Sequence, residues 1–194
     1  MKDINWKKEV LTIPNLLSLF RLILIPVYVY IYLTAKNDQD YMLSATILAV
    51  SCLTDLADGQ IARRFNMISN VGKVLDPLAD KLTQFTLAVC LAIRHWVIWI
   101  MVGLILVKEL FQLIIGAINL RKGRMLKGAL FSGKICTTIL FTSLVVMVLF
   151  PYLNETVITI ITLVDIAFLL YAFVDYAITY YKRPDKFNYF SENS

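Results

Sequence analysis

The chain has 194 residues, 59% of them hydrophobic and only 17% charged, with a net charge of +5 at pH 7. Soluble domains average roughly 45 to 50% apolar and 25% charged, so the composition excludes a water-soluble globular protein and predicts an integral membrane one. The small positive excess comes without an aromatic-interleaved basic patch outside the apolar runs, which excludes nucleic acid and fits contact with anionic lipid heads and phosphates.

In chain order, MKDINWKKEV mixes acids with its lysines and leads into a full-length apolar run without a small-residue cleavage site. It therefore reads as a short amphipathic helix at the membrane surface, with Ile4, Trp6 and Val10 facing the interface, and not as a removed signal peptide. Six stretches then approach the roughly 20 apolar residues that cross a bilayer: 13–34, 41–62, 72–93, 96–120, 128–150 and 155–181. Their connections are short and no linker, repeat or low-complexity tract divides them, so residues 1–194 are expected to form a single all-α membrane domain of six transmembrane helices. With the N-terminus inside, sixteen of the nineteen basic residues fall on the cytoplasmic side; only Lys36 and Arg94 lie outside, and Lys108 lies within a span. That asymmetry predicts a multi-pass cell-membrane protein with both termini cytoplasmic. Cys52, Cys90 and Cys136 sit in spans without metal-ligand spacing and are expected to pack. His95, beside Trp96 in an outer turn, is expected to anchor at the interface.

Chemistry concentrates between the second and third spans. Asp55 and Asp58 are three apart near the cytoplasmic end of one, and Asp76 and Asp80 four apart near the cytoplasmic start of the next. At 100° and 1.5 Å per residue each pair shares a helix face, about 4.5 to 6 Å apart along the axis. A short loop makes the two helices antiparallel neighbours. A charge at the centre of a membrane helix costs about 2.5–3.5 kcal/mol, so four aspartates call for cations. Pairing with Arg64, Lys73 or Lys81 is one answer. Two divalent ions are the better one, because four carboxylates match their charge and all-oxygen ligation suits Mg²⁺ or Mn²⁺. Such a pair clamps phosphoryl oxygens during displacement. Gly59 permits close backbone approach, Ala62 and Gly72 keep space between the helices, and Arg63 offers a planar fork to phosphate.

Asp55-Leu-Ala-Asp58-Gly59-Gln-Ile-Ala62-Arg63, eight residues, then Gly72-Lys-Val-Leu-Asp76-Pro-Leu-Ala-Asp80 matches in full the signature of the CDP-alcohol phosphatidyltransferases, which the chain resembles. IPNLLSLFRLILIP at 13–26 and LDPLADKL resemble the bacterial phosphatidylglycerophosphate synthase branch of that family. The resemblance implies transfer of a phosphatidyl group from CDP-diacylglycerol to glycerol 3-phosphate, with release of CMP, at the cytoplasmic leaflet. It implies that Asp55, Asp58, Asp76 and Asp80 hold two metal ions, that Asp80 is also the general base, and that Gly59, Ala62, Arg63 and Gly72 line the CDP pocket. It further implies a homodimer.

Cations for a phosphorylated acceptor are expected among Lys73, Lys108, Arg121 and Lys134, with Arg21, Arg124 and Lys127 as further candidates. Lys108 is expensive inside a span and is a functional candidate unless it pairs with Glu109 or an aspartate of the last helix. The chain departs from the synthase pattern at VKEL, where an Arg-Glu pair is common, and at GKICTT, where Cys136 replaces a second lysine. KELFQLIIGAINLRKG followed by SGKICTT resembles the cardiolipin synthases of the same superfamily, which makes phosphatidylglycerol the alternative acceptor and an inositol phosphate a third. Carboxylates in membrane helices also mark ion-coupled transporters, but the repeats and broken helices of transporters are not evident. Asp165 and Asp175, ten apart in the last span, match no motif position.

Overall fold

The computed structural model describes residues 12–64, 72–126, 128–183 and 186–189, with side chains described in these segments except at 13, 56–59, 61–63, 73, 74 and 189. The amphipathic start expected around Ile4, Trp6 and Val10, and the candidate cation Lys127, lie outside the described residues. Six helices stand among those described: α1 Ile13–Thr34, α2 Asp38–Arg64, α3 Gly72–Arg94, α4 Ile98–Arg121, α5 Phe131–Leu149 and α6 Glu155–Lys182. Each end falls within three residues of the span expected there. The fold also holds two short strands absent from the all-α expectation, β1 Arg124–Leu126 and β2 Phe187–Tyr189, paired antiparallel with Met125 opposite Asn188.

Helices α1, α4, α5 and α6 are long and apolar enough to cross a membrane, which makes this a membrane protein. The expectation was six such helices. At 27 and 23 residues, α2 and α3 reach about 40 and 34 Å and exceed a hydrocarbon core of about 30 Å. Parts of α2 and α3 lie outside the residues whose side chains are described, so the four are counted among the described residues.

The chain divides into two compact units, Met1–Cys90 with Val148–Pro151, and Leu91–Met147 with Tyr152–Ser194. In the first, α1 packs along α2. Tyr28 and Tyr32 stack at a ring separation of 5.5 Å, and Tyr32 meets Tyr41 of α2 edge-on at 6.1 Å. The Asp40 carboxylate accepts from the backbone N–H groups of Lys36 and Asn37 at 2.9 and 3.2 Å and ties the connection into the first turn of α2. These two bonds, that from Lys36 foremost, hold its carboxyl below the ordinary carboxylate value. Leu48, Ala79 and Leu87 are buried in this unit.

In the second unit α4 packs on α6, with Phe111 and Phe173 rings 4.9 Å apart. Helix α4 ends at Arg121, and Gly123 follows at φ 69°, the left-handed conformation that a glycine adopts without strain just past a helix. Helix α5 runs antiparallel to α6 and is joined to it at two levels. Ser132 donates to Asp175 and Ser143 to Asp165, each at 2.6 Å. Gly133 lies so close to Tyr176 that a Cβ would stand 2.7 Å from its hydroxyl oxygen. Asn154 caps α6, its side chain accepting from the Thr156 N–H at 3.0 Å. Asn154→Ala is expected to lower stability by about 0.5–2 kcal/mol, read as a drop in the thermal unfolding midpoint in detergent; an unchanged midpoint would remove the cap from the account.

Candidate active site

The first unit gathers its polar groups from three helices. On α1, Asn15, Ser18 and Arg21 recur every third residue, so successive members drift by about 60° and the three cover about 120° of one face. All three are buried, Arg21 to 2% exposure. An arginine so placed in an apolar helix needs an acidic partner. Its NH1 lies 2.6 Å from Asp55 Oδ1 of α2 and also bonds Asp80 Oδ1 of α3. The Ser18 hydroxyl is 2.5 Å from Asp76 Oδ1 and 3.1 Å from the Pro14 carbonyl. With one proton to donate, it favours the closer, charged acceptor.

The cluster is lopsided in its access to solvent. The Arg21 side chain is 3% exposed, whereas those of Asp55 and Asp80 are 43% and 55% exposed. The carboxylates are therefore sealed on the α1 side and open on the other, where a ligand can meet them.

Of the expected site residues, Asp55, Asp76 and Asp80 thus come together around α1. Gly72 is buried as the first residue of α3. Asp58, Gly59, Ala62 and Arg63 continue α2 beyond Asp55, and Lys73 lies in the first turn of α3; their side chains lie outside the described residues. Lys108, Arg121 and Lys134 belong to the second unit. There Lys108 is buried with its Nζ 2.7 Å from Glu109 Oε1, the ion pair that its neighbour in sequence allowed. Arg121 ends α4 and Lys134 lies in the first turn of α5, both exposed. Asp175 pairs with Arg183 at 3.4 Å as well as with Ser132, and His95 lies 2.9 Å from Glu155. Asp165 is 1% exposed, and its second oxygen, Oδ1, has no hydrogen-bond partner among the described residues.

Ser18 was missed as a site residue, and Arg21 was read only as a cation for the acceptor. Their signal was the N-x-x-S-x-x-R stripe at 15, 18 and 21, polar at helical spacing in an otherwise apolar helix.

The family model described as CDP-alcohol phosphatidyltransferase matches residues 11–174. The chain belongs to that family. It is 31% identical over 177 residues to the CDP-diacylglycerol–glycerol-3-phosphate 3-phosphatidyltransferase of Aquifex aeolicus, covering 89% of this chain and 97% of that one. It is also 36% identical over 132 residues to the cardiolipin synthase (CMP-forming) of Streptomyces coelicolor, covering 66% of this chain and 61% of that one. Against mycobacterial relatives, at 37% identity over 109 residues, the match spans 51% of their length.

Members of this family generally use divalent metal ions. Among the described residues no group of three or more His, Cys, Asp or Glu side chains is arranged to hold one. The donors are nevertheless of the right kind. Carboxylate oxygens are what a hard divalent cation takes, and oxygens from two helices converge on a single cationic nitrogen, Arg21 NH1.

Proposed function

We propose that this protein transfers a phosphatidyl group from CDP-diacylglycerol to glycerol 3-phosphate, releasing CMP and forming phosphatidylglycerophosphate for phospholipid synthesis. The observation that carries the reading is the meeting of Asp55 and Asp80, from two helices, at Arg21 NH1, with Asp76 of the same signature held by Ser18 on the same helix as Arg21. In this reading all six helices cross the cell membrane, both termini and the active site face the cytoplasm, residues 1–194 act as one domain, and two copies form a homodimer.

Asp55, Asp58, Asp76 and Asp80 are the residues to hold two Mg²⁺ or Mn²⁺ ions, which when bound supply charge neutralisation for the donor's pyrophosphate. Gly59, Ala62, Arg63 and Gly72 line the CDP side, where small residues admit the nucleotide and a guanidinium fork matches phosphate. Asp80 takes the proton of the acceptor hydroxyl as its oxygen bonds to the lipid-bearing phosphorus. The bond from that phosphorus to the bridging oxygen breaks, and CMP leaves with the electron pair. Lys73, Lys108, Arg121 and Lys134 are the cations proposed to receive the acceptor phosphate.

The Aquifex aeolicus relative, matched over nearly its whole length, favours glycerol 3-phosphate. A second reading, cardiolipin synthesis with phosphatidylglycerol as acceptor, is favoured by the Streptomyces coelicolor relative and by the pairing of Lys108 with Glu109, which spends one acceptor cation. Purified protein given labelled CDP-diacylglycerol, Mn²⁺ and each acceptor separately distinguishes them. Glycerol 3-phosphate is expected to drive CMP release; release with phosphatidylglycerol alone selects the second reading, and no release with either overturns both. Lys134→Ala is expected to raise KM for glycerol 3-phosphate by about tenfold, the worth of one charge-assisted hydrogen bond; an unchanged KM removes Lys134 from the acceptor site.

A further inference from the structure

Arg21 is held by two of the carboxylates that the proposed function gives to the metal ions. Its NH1 lies 2.6 Å from Asp55 Oδ1 and donates to Asp80 Oδ1. A divalent ion ligated by the same two oxygens at about 2.0–2.6 Å competes with that nitrogen for them. Repulsion between like charges disfavours holding both on the same oxygens. Nor can the arginine be discharged to make room, because a guanidinium stays protonated at every working pH.

We propose that Arg21 is a built-in counter-ion that a divalent cation displaces, the guanidinium and the ion competing for the Asp55 and Asp80 oxygens. This rests on the reading of the aspartate cluster as a divalent-metal site. The geometry separates the two routes of approach. Arg21 reaches the carboxylates from the sealed side at 3% exposure, while the 43% and 55% exposed faces of Asp55 and Asp80 admit an ion from solvent. The Arg21 pairing keeps Asp55 and Asp80 matched next to an apolar bundle, where bare carboxylates are costly. Arg21 acts here as a positioning residue for the cation site.

The test is Mn²⁺ binding without lipid or acceptor, followed by the loss of free Mn²⁺ signal in electron paramagnetic resonance at pH 8. Arg21→Gln is expected to bind Mn²⁺ about tenfold more tightly than wild type, since a competing charge-assisted pair is gone. In chelator it is expected to unfold at a lower temperature than wild type, with the gap closing as Mn²⁺ is added. Wild type that binds Mn²⁺ beside an Arg21→Gln that binds equally or more weakly overturns the exchange and leaves the metal site standing. Absence of binding in both overturns the metal site and the exchange together. If Arg21→Gln does not fold, Arg21→Lys keeps the charge but not the fork, and is expected to bind Mn²⁺ more tightly than wild type; affinity equal to wild type overturns the exchange.

Discussion

Asp80→Asn is expected to slow CMP release by about 10²–10⁴-fold, the range a positioned general base contributes. The substitution removes the proton acceptor while keeping the shape. The Asn amide oxygen can still accept from Arg21 NH1, and Asp55 remains on the same guanidinium. The three-helix cluster should therefore stay assembled, and CDP-diacylglycerol should still bind. That pairing of outcomes is informative. Loss of turnover with retained binding fits a base, whereas loss of both assigns Asp80 to holding the metal and donor alone. Turnover within threefold of wild type would remove Asp80 from the chemistry, and the proposed mechanism with it.

Gly133→Ala is expected to cost about 1–3 kcal/mol, the range for forcing a methyl into a packed core. The new Cβ would stand 2.7 Å from the Tyr176 hydroxyl oxygen, 2.8 Å from Cε2 and 3.2 Å from Cζ. A ring cannot fold away like the end of a lysine, and this one is held by the Leu130 N–H, which donates to its hydroxyl at 3.2 Å. Helices α5 and α6 must then separate or the ring must turn. A thermal midpoint in detergent lowered by about 2–4 °C per kcal/mol is the readout. Tyr176→Phe in the Gly133→Ala background should restore only part of the loss, because the ring carbons still collide and the Leu130 N–H loses its acceptor. A midpoint for Gly133→Ala equal to wild type would mean that the two helices are not in this register.

The helices were legible because twenty-residue apolar runs have few other uses, and the signature aspartates because carboxylates in such runs demand a cation. Three things were hidden, the first two for the same reason. The partner of Arg21 could not be read from α1, since Asp55 and Asp80 come from helices far along the chain. Asp165 and Asp175 looked unrelated because ten residues turn a helix by 280°, leaving them 80° apart. The relation was written on α5 instead, where Ser132 and Ser143 stand eleven apart and hence within 20° of one face, each donating to one aspartate. The β1–β2 ribbon was invisible because strands of three residues carry no period.

That ribbon has a consequence for the order of assembly. Leu126 pairs with Phe187, some sixty residues later in the chain. Closing a loop of that size is entropically unfavourable, with a cost that rises logarithmically with length, and three residue pairs are too few to offset it before the intervening chain is organised. Helices α5 and α6 lie wholly within the loop; once they are folded back to back, the ends of the loop are brought near and little entropy remains to be lost. The ribbon is thus a late event in folding, a clasp that closes only on a finished helical hairpin. Tyr180 against Phe187, with ring centres 5.7 Å apart, is the contact through which the end of α6 hands the chain to it.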